Sequence, residues 1–185
     1  MTNRVARWLE DHANFARLLD ILEGELEAFH WAAKPDYRLM LDVMTYMTQY
    51  PDLFHHPSEE LAFARAVRRH SKLRGTVEDL AREHMALRAA GETLVTNLEA
   101  ILNEAVLPRV DVEWSGREYI RDLRRHMRRE EAEAYPLVSR LLRAADWAEI
   151  DAKIARRPDP VFGPAVEARF RRLRNQISAD VHSGD

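Results

Sequence analysis

Three stretches of the chain carry apolar residues at alternating spacings of three and four, and each interrupts its apolar row with a histidine. The first row runs Val5, Trp8, His12, Phe15, Leu19, Leu22, Leu26 and Phe29. Another runs Val77, Leu80, His84, Leu87, Gly91, Leu94, Leu98 and Ile101. A third runs Tyr119, Leu123, His126, Glu130, Leu137 and Leu141, with Glu133 or Ala134 at the intervening position. Residues at this spacing line one face of a helix, the face turned to a core. Three helices therefore aim one imidazole each inward, and the last adds a carboxylate one turn later. A buried carboxylate is costly unless it is paired, protonated or bound to metal.

The breaks between the rows are sharp because glycine is scarce and the prolines cluster. Pro35, Gly75, the segment Pro108 to Gly116, and the group Pro158, Pro160 and Pro164 divide the chain. The stretches between them are rich in Ala, Leu, Glu and Arg, all good helix formers. The pattern predicts long helices over 3–31, 36–70, 76–105 and 116–144, with short ones over 147–156 and 161–178. Ser115 with Glu118, and Asp146 with Glu149, have capping-box spacing. The expected fold is all-α: an up-down-up-down antiparallel four-helix bundle with additional C-terminal short helices. The expected division is a bundle over 1–145 and a C-terminal extension over 146–185. Trp147, Ile150, Val161, Phe170, Leu173 and Ile177 would pack the extension on the bundle or at a dimer contact.

Composition narrows the function. The chain has no cysteine and eight histidines, which excludes a disulfide scaffold, a thiolate metal site and a Cys nucleophile. Lys+Arg number 28 against 31 Asp+Glu, a balance unlike that of a nucleic-acid-binding protein. No apolar run reaches the roughly 18 residues of a membrane helix, and the first residues have no signal-peptide core. The expectation is a cytoplasmic protein without nucleic-acid or membrane partners. There is no defensible Ser-His-Asp arrangement and no phosphate loop, so binding rather than turnover is expected.

The second helical stretch contains Leu53-Phe54-His55-His56-Pro57-Ser58-Glu59-Glu60-Leu61-Ala62-Phe63. It offers two His-x-x-x-Glu pairs, His55/Glu59 and His56/Glu60, and residues four apart share a helix face. His126/Glu130 repeats the spacing. Periodicity favours His56/Glu60, because Leu53, His56, Glu60, Phe63 and Val67 form one row. Pro57 removes a backbone donor and can shift the phase of the helix. With either pair, four imidazoles and two carboxylates converge, a set that suits iron and allows carboxylate bridges. His30, His70 and His182 read as solvent-facing or terminal. Tyr46, Tyr50 and Tyr135 read as core residues that could also line a pocket. Met40, Met44, Met47, Met85 and Met127 read as core filler. The arginines of the fourth helix read as a solvated, ion-paired face.

The segment Phe54 to Phe63 resembles the HHPxE(D/E)xxF motif of the hemerythrin-like, or HHE cation-binding, family. His126-Met127-Arg128-Arg129-Glu130-Glu131 with Tyr135-Pro136 resembles that family's last-helix motif. Asp11-His12 and Glu83-His84 resemble its first and third helices. The resemblance spans roughly 5–142. It implies a four-helix bundle holding a non-haem di-iron centre, with His12, His55, Glu59, His84, His126 and Glu130 as ligands. Glu59 and Glu130 would bridge, together with an oxo or hydroxo group. The implied small-molecule partners are dioxygen, nitric oxide or peroxide, and a homodimer is a further expectation. Two departures separate the chain from the oxygen carriers. Leu80 stands where they have a second third-helix histidine, and Glu130 lies at His+4 where they have an aspartate at +5. In both features the chain resembles the bacterial HHE proteins linked to sensing, nitric oxide handling or iron–sulfur repair. A redox or peroxidase-like di-iron enzyme and a metal-free helical interaction module are the alternatives.

Overall fold

The computed structural model describes residues 4–28, 33–154 and 157–183. Among these residues there is no strand. The first stretch is α1 (Arg4–Glu27). The second is broken: α2 (Tyr37–Met47) leads through a π-helical turn at Pro51–His55 into α3 (His56–Arg69). The third is α4 (Arg74–Leu102), entered through a 3₁₀ turn at Ser71–Leu73. The fourth is α5 (Arg109–Arg129), continued through a second π-helical turn at Glu130–Ala134 into α6 (Tyr135–Leu141). Neighbours in sequence pack side by side, and the fourth stretch also packs on the first. The four stretches therefore close a ring around one interior.

Both π turns stand immediately before an X-Pro step, His56-Pro57 and Tyr135-Pro136. Proline has no N–H for the regular i→i−4 bond, so the backbone reorganises just ahead of it. The N–H of His56 donates to the Pro51 carbonyl, and that of Tyr135 to the Glu130 carbonyl, five residues back in each case. Each turn adds a residue and rotates everything that follows.

The helix ends differ from expectation in three places. The fourth stretch begins at Arg109, not near 116, because Pro108 is extended (φ −59°, ψ 125°) and launches the helix. Ser115 is consequently inside α5, where its hydroxyl donates to the Val112 carbonyl at 3.1 Å and caps nothing. Gly116 is a packing residue and not a breaker, since a Cβ there would lie 2.8 Å from Leu26 Cδ1. Helix α7 (Ala144–Lys153) begins earlier than predicted; Arg143 is its N-cap, and the Asp146 carboxylate accepts the Arg143 N–H at 2.7 Å. Asp146 is therefore the third residue of the helix and not its cap.

The last helix, α8 (Arg171–Ser183), starts ten residues later than the predicted 161. The intervening segment is a turn organised by Asp159. Its Oδ1 accepts the N–H groups of Val161 and Phe162 at 2.7 Å each, while its Oδ2 accepts the Tyr46 hydroxyl at 2.7 Å. Val161, Phe170, Leu173 and Ile177 then join the bundle core. Helix α7 packs on α3: Asp146 holds Arg69 at 2.5 Å, and the half-buried Trp147 meets Trp8 edge-on with ring centroids 5.7 Å apart.

The interior has two apolar halves. One contains Phe15, Leu19, Met44, Leu87 and Leu123; the other contains Trp8, Phe63, Leu80, Tyr135 and Ile150. Four of the five methionines read as filler are buried, but Met85 is 66% exposed because it follows His84 and faces away from the bundle. Arg117, Arg121, Arg124 and Arg125 pair with Glu113, Glu118, Asp20 and Asp122 on the surface. No helix among the described residues is long and apolar enough to cross a membrane.

Candidate metal centre

Between the two apolar halves lies a polar layer contributed by all four stretches. His12, His55, His56, His84 and His126 are each at most 5% exposed, and Glu59 and Glu130 are fully enclosed. All six residues expected at the site are there, and His56 joins them. His70 is exposed. His30 and the side chain of His182 lie outside the described residues.

The seven groups fall into two sets. His12, His55, Glu59 and Glu130 each offer a ligand atom within 4.8 Å of the others, and so do His56, His84 and His126. The two carboxylates lie between the sets. Glu59 Oε1 is 3.1 Å from His55 Nε2, while its Oε2 is 3.8 Å from His84 Nε2. Glu130 Oε2 is 3.4 Å from His12 Nε2 and 3.3 Å from His126 Nε2, and its Oε1 is 3.3 Å from His84 Nε2. Ligands about 2.1 Å from one metal and at right angles sit about 3.0 Å apart. The close contacts are near that spacing.

In the second stretch His55 and Glu59, the pair that the family resemblance implies, fall in one set, and His56 is brought in as well. His55 and His56 both reach the centre, one in each set, and their ring centroids are 5.6 Å apart. Consecutive residues on a helix point about 100° apart, so the two imidazoles enter the centre from different sides. Glu59 is the inward carboxylate. Glu60, the partner that periodicity preferred, is half exposed. His56 stacks on His84 at 4.1 Å and supplies the third imidazole of their set. Leu80 is not a missing ligand position that must be filled; it packs in the apolar half with Trp8 and Phe63.

Every one of the five imidazoles turns Nε2 inward and donates from Nδ1–H to a carboxylate. His12 pairs with Glu131 at 2.9 Å, His55 with Asp11 at 3.0 Å and His56 with Asp52 at 3.0 Å. His84 pairs with Glu60 at 3.2 Å and His126 with Glu83 at 2.9 Å. Such partners fix the tautomer and ring orientation of metal-ligating histidines and raise their basicity. Four of the five carboxylates are sequence neighbours of an inward ligand and hold an imidazole of the next stretch. Asp11, beside His12, holds His55. Glu60, beside Glu59, holds His84. Glu83, beside His84, holds His126. Glu131, beside Glu130, holds His12. The supports form a closed ring around the bundle. Sequence reasoning missed this ring, although the pairs Asp11-His12, Glu59-Glu60, Glu83-His84 and Glu130-Glu131 are visible in it.

The electrostatics are those of a centre built for added positive charge. Burial alone would depress His55, but the Glu59 and Asp11 carboxylates outweigh it and push its pKa up to about 10. His84 is likewise raised against burial, to about 9, by Glu130 and Glu60. His126 is raised against burial by Glu130 and Glu83. Burial and the neighbouring His84 and His55 hold His56 well below its usual range. The nearby His12, His126 and His84 imidazoles outweigh burial and hold Glu130 well below the carboxylate range. Even so, Nε2 of His55 and His126 and Oε2 of Glu59 and Glu130 are buried without a hydrogen-bond partner among the described residues. Orphaned donors and acceptors inside a protein are rare and expensive. Four of them aimed into one space fit metal ions as the missing partners.

The wall of the site is aromatic. Phe15 stands edge-on to His55, with centroids 5.1 Å apart. Tyr135 lies across the His12 ring, with its hydroxyl 3.0 Å from His12 Nε2 and donating to Glu59 Oε1. Burial, with Glu59 and Glu130 nearby, raises the Tyr135 phenol well above its usual value. Of the three tyrosines considered from sequence, only Tyr135 touches the inward ligands. Tyr46 and Tyr50 stack on each other at 5.5 Å.

An all-helical interior that gathers five imidazoles and two shared carboxylates, each imidazole backed by a second carboxylate, defines a class of helical metal-binding proteins. The sequence agrees: the profile of the hemerythrin HHE cation-binding domain matches residues 3–138. The chain belongs to that family. No curated protein matches it.

Proposed function

We propose that the chain is a non-haem di-iron protein that binds a small ligand, dioxygen, nitric oxide or peroxide, inside an up-down-up-down four-helix bundle. The observation that carries this reading is the pair of ligand sets sharing Glu59 and Glu130. His12 and His55 would hold one iron, His56, His84 and His126 the other, with the two glutamates bridging. Imidazole with carboxylate suits iron, and the lack of thiolates disfavours softer metals. Iron, when bound, supplies open coordination positions and the redox chemistry of ligand capture. The chain's own residues set the conditions. Glu59 and Glu130 supply two negative charges to the metals. Asp11, Asp52, Glu60, Glu83 and Glu131 lock the rings so that Nε2 faces inward. Phe15, Trp8 and the flanking apolar halves keep bulk water from the centre.

Iron content with absorption spectra before and after oxygen, azide and nitric oxide tests the reading. Two irons per chain and ligand-dependent bands are expected. Glu59→Ala or His126→Ala with undiminished iron would refute the assignment. Turnover of peroxide with a reductant would move the protein from ligand binding to catalysis on the same centre.

A further inference from the structure

Tyr135 is a buried hydroxyl pressed against the ligand atoms, and the ligand set that the family resemblance implies does not include it. Building on the di-iron reading above, we infer that Tyr135 is itself an iron ligand, its phenolate oxygen completing the set formed by His12, His55, Glu59 and Glu130.

Three observations carry this. The first is position. The Tyr135 oxygen is 3.0 Å from His12 Nε2 and in hydrogen-bond contact with Glu59 Oε1. Those are two inward ligand atoms of the same set, and about 3.0 Å is the separation of neighbouring ligands on one octahedral metal. The second is the backbone. Five residues along a regular α-helix advance about 500°, which would turn Tyr135 roughly 140° away from the face of Glu130. The π turn Glu130–Ala134, wound at about 4.4 residues per turn, cuts that offset to roughly 50° and brings Tyr135 back toward that face. Such turns concentrate at functional sites. The third is the count of donors. The His56, His84 and His126 set has three imidazoles besides its share of the bridging carboxylates. The other set has only two. Tyr135 brings it level. The ring is 2% exposed and held between Trp8, 5.3 Å away, and His12.

The step balances without a redox partner. As the Tyr135 O–H bond breaks, an oxygen–iron(III) bond forms, and one proton leaves to solvent. An anionic phenolate favours iron(III) over iron(II). The centre is therefore biased away from the reduced state that reversible oxygen carriage needs, and toward ligands handled by oxidised iron.

The test is resonance Raman and visible absorption of the ferric, full-length protein, after its iron content has been measured. The wild type is expected to show a phenolate-to-iron(III) charge-transfer band with enhanced tyrosinate ring vibrations, which shift when its tyrosines are ring-deuterated. Tyr135→Phe should keep its iron, lose both signals and show a more positive reduction potential. Tyr119→Phe should keep both. Iron-replete wild type without tyrosinate vibrations overturns the proposal, as does Tyr135→Phe retaining them. If Tyr135→Phe cannot hold iron, the wild-type vibrations together with their persistence in Tyr37→Phe, Tyr46→Phe, Tyr50→Phe and Tyr119→Phe, the other four tyrosines, still decide the matter. A wild type that takes up no iron removes the di-iron reading itself, a result separable from an iron-loaded protein lacking tyrosinate.

Discussion

Raising the pH should loosen the metal-free protein while tightening its hold on iron. In the folded chain the pKa of His55 is pushed up to about 10 and that of His84 to about 9. Unfolded histidine titrates near about 6.5. Both protons are therefore held by the native state and released on unfolding between those values. A raised native pKa gives stability that is complete below the unfolded value and is lost as pH climbs toward the native one. Each such proton is worth about 1.4 kcal/mol per pH unit, so the two together give a slope of up to about 2.7 kcal/mol per unit between pH 6.5 and 9. Physically, deprotonation strips the counter-charge from Glu59 and Glu130, both enclosed in the core. Iron binding runs the other way. If the same Nε2 atoms become ligands, loading expels these two protons besides that of Tyr135, and the two histidines alone raise affinity roughly 100-fold per pH unit up to about pH 9. Denaturant melts of metal-free protein from pH 6.5 to 9.5, paired with chelator-competition titrations of iron, measure both slopes. Metal-free stability that is flat or rising between pH 7 and 9 would refute the charge balance argued for this core. The acid side has its own signature: the depressed Glu130 contributes stability above about pH 4.5, its unfolded value, which is lost as pH falls through its native pKa.

Replacing a supporting carboxylate should weaken the centre without unfolding the bundle. Glu83→Gln, which removes the charge behind His126, is expected to cost 10- to 100-fold in iron affinity by chelator competition, the usual range for such partners. On the proposed di-iron reading, His56→Ala should lose one of two irons, whereas Glu60→Gln should keep both at reduced affinity; metal analysis after gel filtration separates them. Ending the chain at residue 145 removes Ile150, Val161, Phe170 and Leu173, each no more than 2% exposed. At about 1.5–3 kcal/mol per side chain the loss reaches roughly 6–12 kcal/mol as an upper figure, comparable to the stability of a whole domain. The truncated chain should lose cooperative thermal unfolding by circular dichroism; an unchanged melting temperature would show the extension to be an appendage.

Much of the fold is written in the spacing of a few residues. The rows through His12, His84 and His126 are buried over Val5 to Leu26, Leu80 to Leu98 and Tyr119 to Glu130, because a stripe of leucines has no other way to leave water; past Glu130 the π turn shifts the buried face to Tyr135 and Val138 and leaves the predicted Leu137 and Leu141 half-buried. The second stretch was harder to read for a physical reason. Periodicity assumes one face and an unbroken 100° step, yet the centre is wide enough for His55 and His56 to approach it from different angles, and Pro57 comes with a π turn that periodicity does not carry. Gly116 misled in the opposite sense. A glycine near prolines reads as a break, but here its missing side chain lets Leu26 pack against α5. Tyr135 was visible as an aromatic before a proline; only the turn at Glu130–Ala134 shows that it faces inward. The turn around Asp159 depends on Tyr46, which lies 113 residues away, and local propensity has no access to such a contact.

The ring of carboxylates also has a consequence for how the protein comes apart. Because each stretch carries both a ligand of its own and the clamp for its neighbour's imidazole, fraying of one helix disables two corners of the centre at once. The bundle cannot shed a single helix and keep a partial site in good order. Opening that would be local in an ordinary bundle becomes coupled around the circle. In hydrogen exchange, the amides flanking His12, His56, His84 and His126 should merge into one cooperative unit when iron is present, whatever the differences among their helices without it.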